Sequence, residues 1–227
     1  EEVCPLDRST EKKTRILRAA AELFSHNGYS GTGIAEIVAA CSIPKGSFYY
    51  YFPGGKEQLA AQVIRFAYDQ MAEGIRAHIF SVSDDALTVF RAMLERLASL
   101  FSREHHFESL VITFMGLESV YISEEVARQA RQVYEEWQQL YRDKLTACGY
   151  SPALAERCSL VLFTLVHGAL ISCWIKQDAG DLLRMRDQLP GLLPPPDCRA
   201  EQQQEDLMKK QKNIRYLTEL SLLVAIT

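Results

Sequence analysis

Residues 47–56, SFYYYFPGGK, put three tyrosines between two phenylalanines and close on a lysine. Phenols stack on sugars or thymine methyls and hydrogen-bond phosphates, while an ammonium donates to guanine or to a phosphate oxygen. Lys45 and Gly46 directly precede the run, so cation, close-approach glycine, hydroxyl and phenols share one short segment. This is chemistry for gripping a nucleic acid. Groupings for bond breaking are missing from the sequence. There is no nucleophile elbow, Gly-rich phosphate loop, HExxH or paired-carboxylate setting, and FPGGK is too short for a P-loop. Neither enzymatic activity nor a cofactor is expected. His105-His106 with Glu108 hints at a metal, but adjacent histidines on a helix diverge, and no metal site is expected.

To present these groups the segment must be a short helix held by one face. Phe48 and Phe52 stand four residues apart and would share a buried face, leaving Lys45, Gly46, Ser47, Tyr49, Tyr50 and Tyr51 for a ligand. Pro44 suits the first position of a helix over 44–51, and Pro53-Gly54-Gly55 ends it. Upstream, Ile16, Leu17, Ala20, Leu23 and Phe24 form the apolar stripe of a helix over 11–26 that stops at Asn27-Gly28. A second short helix fits 33–41, with Thr32 as its N-cap. Two short helices around the turn SIPKG form a helix-turn-helix, whose second helix enters the major groove. The exposed amides at the start of the next helix, beside Lys56, can hold a phosphate.

The rest reads as helices without a convincing strand. One runs over 56–79, with Leu59, Val63, Ala67, Met71, Ile75 and Ile79 at steps of four. Others fit 84–102, 107–118, 123–147, 152–176 and 181–188, the last ending at Pro190, with LPGLLPPPD as a linker. Residues 199–226 could form one more. The run 160–175, LVLFTLVHGALISCWI, is shorter than the about 20 residues of a membrane span, which points to a buried helix. Apolar on nearly all sides, it needs cover on more than one face, and a second copy of the chain is the natural cover. A homodimer without membrane association is therefore expected.

Net charge is −4 over 227 residues, yet residues 8–57 hold seven Lys/Arg against four Asp/Glu. A basic module on an acidic body suits a nucleic-acid reader. The six cysteines form no CxxC pair, and the stretch EEVCPLDRST is acidic and polar. Reduced core thiols in a cytoplasmic protein are the expectation. A helical protein–protein interaction module is the competing reading, but it leaves the surface from Lys45 to Lys56 unexplained.

RILRAAAELFSHNGYSGTGIAEIVAACSIPKGSFYYYFPGGKEQLA (15–60) resembles the N-terminal DNA-binding domain of TetR-family transcriptional regulators. GYSGTGIAEIV, the doubled glycine of FPGGKEQLA, VYEEWQQLYRDKL and LPGLL are similar to the LmrA/YxaF-like branch, over about residues 9–193. The resemblance implies an all-α fold. A three-helix DNA-binding head over 9–55 would precede a ligand-binding and dimerisation body over 56–193, and 194–227 would be a Pro-rich linker with an extra segment. It further implies a homodimeric repressor on double-stranded operator DNA. By position, Thr32, Ser47 and Lys56 would contact phosphates, Lys45 and Gly46 would face bases, and Tyr49 and Tyr50 would touch backbone and base edges. The implied output is control of a multidrug-efflux or detoxifying gene, lifted by planar aromatic ligands such as flavonoids. Three positions depart from the family pattern. Tyr51 stands where many members carry histidine, Ser42 replaces the usual turn glycine, and 197–227 extends past the branch's ordinary end.

In such a regulator the aromatic and sulfur side chains of the body would wall a site for a small aromatic or hydrophobic effector. The candidates are Met71, Phe101, Phe114, Tyr134, Trp137, Phe163 and His167, with Tyr134 and His167 as polar handles. Ordinary core packing is the plain alternative for each. Glu118, in the apolar run FMGLESVYI, joins the set as a residue that would favour a cationic ligand if buried.

Overall fold

The computed structural model describes residues 5–104 and 108–196, and among them all regular structure is helical. His105, His106 and Phe107, and the extra segment 197–227, lie outside the described residues.

Helix α1 (Pro5–Gly31) buries Ile16, Leu17, Ala20 and Phe24 and breaks at Gly28, whose φ of 71° and ψ of 169° leave the helical region. It is longer than the 11–26 stripe suggested. Helices α2 (Ile34–Ala40) and α3 (Lys45–Tyr51) follow, joined by a turn in which Ser42 sits at φ 50°. The N-cap of α2 is Gly33 and not Thr32, which corrects the sequence reading. Thr32 is buried, and its hydroxyl shares one proton between the carbonyls of Gly28 (2.9 Å) and Leu23 (3.1 Å). Orphan carbonyls at the end of α1 thus claim the hydroxyl that a free α2 amide would otherwise take.

Helix α4 (Gly55–Ile75) is capped by Gln58, whose Oε1 accepts the Gly54 N–H at 2.9 Å. It packs on α1 at one end and on α6 and α7 along its length, so head and body share this rod. Arg65 pins it to α7: the guanidinium reaches Glu136 at 2.7 Å and Asp69 at 2.5 Å and lies 4.4 Å from the Tyr68 ring. The single helix expected over 56–79 instead changes to a π-helical turn over Arg76–Phe80. Lys144, nearly buried on α7, donates to the carbonyls of Phe80 and Ser83, both at 2.8 Å, and so fixes the corner into α5 (Ala86–Glu104).

Helices α6 (Glu108–Ile122), α7 (Glu124–Ala147), α8 (Pro152–Lys176) and α9 (Gly180–Leu192) complete the body. Ser123 caps α7 and Ser151 caps α8, each hydroxyl accepting a backbone N–H three residues on at 3.4 Å. Helix α9 runs through Pro190, contrary to the expectation that this proline would end it. Pro190 has no N–H to give the carbonyl four residues back, but the helix continues only two residues past it, and Leu189 and Leu193 are buried around it. Tyr150 donates to Pro194 O at 2.7 Å, so the start of the expected linker is tied down.

Helix α8 has the bounds its pattern indicated, and at 25 residues it would span a bilayer by length and composition alone. Its inner stripe, Leu162, Val166, Leu170 and Cys173, is buried in the body against α7 and α9. The outer stripe is bare: Leu160 is 52% exposed and Ile175 76%.

Candidate nucleic-acid interface and effector pocket

The recognition segment is built as its pattern demands. Phe48 and Phe52 are fully buried with ring centroids 5.6 Å apart. That anchor turns Tyr49 and Tyr50 outward, 43% and 77% exposed. Tyr51 is half-buried, edge-on to Tyr50 at 5.1 Å. Lys45 and Gly46 are exposed and Ser47 is half-buried.

An open groove of about 460 Å³ runs beside them, between α1 and α3. Its walls are Lys12, Arg15, Ser42, Ile43, Pro44, Gly46, Ser47, Tyr50 and Tyr51. Two cations and no carboxylate line it among the described residues, a setting for phosphate. Lys12 and Arg15 were not among the residues the sequence pointed to. Their i, i+3 spacing was the available signal, but only the packing of α3 on α1 brings them to the groove.

Thr32 is not on this surface: it is 1% exposed with its hydroxyl turned inward, so the expected phosphate contact by that side chain is withdrawn. Lys56 is half-buried, its Nζ 4.0 Å from the Tyr29 ring centroid. Burial lowers the Lys56 pKa, and the nearby Glu118 carboxylate pulls it back up.

Of the expected effector residues, four meet. His167 lies 4.1 Å from Phe163, 4.4 Å from Trp137 and 5.1 Å from Tyr134, centroid to centroid. Its Nδ1 is 2.8 Å from Phe163 O and donates to it, which leaves a bare lone pair on a buried Nε2 that has no partner among the described residues. Burial drives the His167 pKa down to about 4, against a smaller upward pull from Phe163 O, so the ring is neutral near pH 7. The Trp137 indole donates to Tyr141 at 3.2 Å. Tyr134, raised in pKa by burial, bonds Thr113 and closes one side of an open cavity of about 280 Å³ between α6 and α7.

The other four are elsewhere. Phe114 stacks edge-on against Trp174 at 4.9 Å. Phe101 is buried core. Met71 faces a separate cleft of about 620 Å³ between α4 and α5, shared with His78 and Arg96. Glu118 is turned away from the aromatic cluster: its Oε2 accepts the Tyr29 N–H at 2.8 Å. A cationic ligand at Glu118 is therefore withdrawn, because the carboxylate already serves the head.

Residues 16–63 match the family described as bacterial regulatory proteins, tetR family, and residues 86–188 match transcriptional regulator LmrA/YxaF-like, C-terminal domain. The chain is 32% identical over 186 residues to the HTH-type transcriptional regulator LmrA of Bacillus subtilis, covering 81% of this chain and 97% of that protein. It is 25% identical over 183 residues to the uncharacterized HTH-type transcriptional regulator YxaF of the same organism, covering 81% and 95%. Among solved structures, a TetR transcriptional regulator from Chloroflexus aurantiacus superposes with a TM-score of 0.68 at 26% identity, over 80% of this chain and 93% of that one. Reduced NemR of E. coli, at 18% identity, shares the fold with a TM-score of 0.72 over 82% and 98%.

Proposed function

The chain belongs to the TetR family of transcriptional regulators, DNA-binding proteins and not enzymes, and we propose that it is a repressor that grips a palindromic operator as a homodimer. The observation that carries this reading is the outward Tyr49 and Tyr50 beside Lys45, on a helix anchored by buried Phe48 and Phe52. Helix α3 enters the major groove with its first residues at base edges, and Lys12, Arg15 and Lys56 hold the flanking phosphates. The second copy packs on the outer stripe of α8, with Leu165 (39% exposed) and Leu183 of α9 (37%) in the seam. A planar, apolar effector binds between α6 and α7 and displaces Tyr134, with His167 and Phe163 behind it. Planar hydrophobic compounds are substances a cell expels, so the controlled gene encodes an efflux or detoxifying function. The protein acts in the cytoplasm without a membrane partner.

Selection of binding sites from random duplexes, followed by an electrophoretic shift at about 0.15 M salt, tests this. A palindromic consensus is expected, bound by a dimer and released by planar aromatic compounds. Recovery of no shared sequence, with only weak salt-labile binding, would end the operator reading. Effectors that bind without releasing DNA would end the repressor-induction reading, because linkage then allows no coupling.

A further inference from the structure

Glu118 is on α6, in the body, yet its carboxylate reaches 89 residues back along the chain to the head. The contact has a structural reason. At Gly28 the backbone leaves helical geometry, so the next amide, Tyr29 N–H, turns out of the α1 ladder and needs an acceptor. Glu118 Oε2 supplies it at 2.8 Å. The fit is close: a Cβ at Gly28 would stand 2.9 Å from Glu118 Oε1, and φ 71° already favours glycine there. From the other side, the buried Thr32 hydroxyl holds the Gly28 carbonyl at 2.9 Å. The turn is therefore clamped at both backbone groups, one clamp from within the head and one from the body.

What the turn carries is the Tyr29 ring, 5.7 Å from Phe24 on one side and 4.0 Å from the Lys56 ammonium on another. A half-buried lysine over an aromatic face is restrained in direction, since the ring quadrupole favours the cation at its centre. The order of contact is carboxylate, amide, ring, ammonium, from α6 through the α1–α2 turn to the start of α4.

We propose that Glu118 is a positioning residue for DNA binding: by holding the Gly28–Tyr29 turn it seats the Tyr29 ring, and the ring aims the Lys56 ammonium at an operator phosphate. This rests on the operator reading above. An alanine at 118 leaves the Tyr29 amide without its acceptor, lets the ring swing and frees the lysine to rotate away, so one phosphate contact is lost.

The test uses full-length protein and the duplex selected with the wild type, read by fluorescence anisotropy across a salt series. Binding by the wild type is the control that separates this idea from the operator reading: without it the operator reading has failed first. Glu118→Ala should weaken binding about tenfold and lower the slope of log K against log salt by about one phosphate. Lys56→Ala should do the same, and the double variant should do no more than either alone. Glu118→Gln keeps a carbonyl oxygen for the Tyr29 amide and should keep the wild-type slope. Generalised loosening of the head would lower affinity without removing one phosphate from the slope. A wild-type slope in Glu118→Ala, or effects that add with those of Lys56→Ala, overturns the proposal. Should Glu118→Ala fail to fold, Tyr29→Leu decides: it removes the seating ring, and an unchanged slope overturns the proposal equally.

Discussion

Lowering the pH from 7.5 to 5.0 should destabilise the wild type by about 2 kcal/mol through His167 alone. The ring is 8% exposed, and burial holds its folded pKa down to about 4 against 6.5 for a free histidine. With the folded value depressed, the unfolded chain binds the proton more readily between those two pH values. Stability is therefore complete above 6.5, falls as the pH drops below it, and stops falling near 4. At pH 5.0 the protonation of the unfolded chain has progressed by about 1.5 units at about 1.36 kcal/mol each, which is about 2 kcal/mol. His167→Asn keeps an amide N–H at the Nδ1 position for Phe163 O and cannot protonate. Urea unfolding of both proteins, at one fixed protein concentration and at both pH values, isolates the term, because the other groups cancel in the difference. An equal loss in wild type and variant would refute a neutral, desolvated imidazole at this position.

Ser42 occupies φ 50° at the helix-turn-helix corner, where a side chain strains the backbone. Ser42→Gly should raise stability by about 0.5–1 kcal/mol and Ser42→Val should lower it, both read by the urea midpoint with the fold unchanged by circular dichroism. Tyr50, 77% exposed, is available for contact at little structural cost. Tyr50→Ala should weaken operator binding about tenfold at an unaltered melting temperature; a loss confined to the melting temperature would remove Tyr50 from the interface.

The recognition helix was legible because its signals are local: an i, i+4 phenylalanine pair, a proline before it and Pro53-Gly54-Gly55 after it. Those same residues give the buried Phe48 and Phe52 and the outward tyrosines of the fold. What escaped depended on contacts that residue type and spacing do not reveal. A threonine before an apolar helix reads as an N-cap, and nothing near Thr32 indicates that the end of α1 will take its hydroxyl. Glu118 reads as an acid stranded among apolar neighbours, since its acceptor role exists only when α6 meets the α1–α2 turn. The steps of four from Met71 to Ile79 fit a continuous helix, and the π-helical turn answers to the corner that Lys144 fixes from α7. Met71 and Phe101 match the composition of a binding wall, but composition cannot say which of several clefts a core side chain faces.

The bare outer stripe of α8 bears on how the regulator would respond to its own abundance. Where Leu160, Leu165 and Ile175 must meet a second copy before two heads can reach one duplex, operator occupancy at low expression rises with the square of chain number. Halving the dose then lowers occupancy more than twofold, so synthesis rate itself becomes a control on operator occupancy. A chain with an intact α8 and a disabled α3 would also draw wild-type partners into dimers with one working head, so one defective allele would silence more than its share.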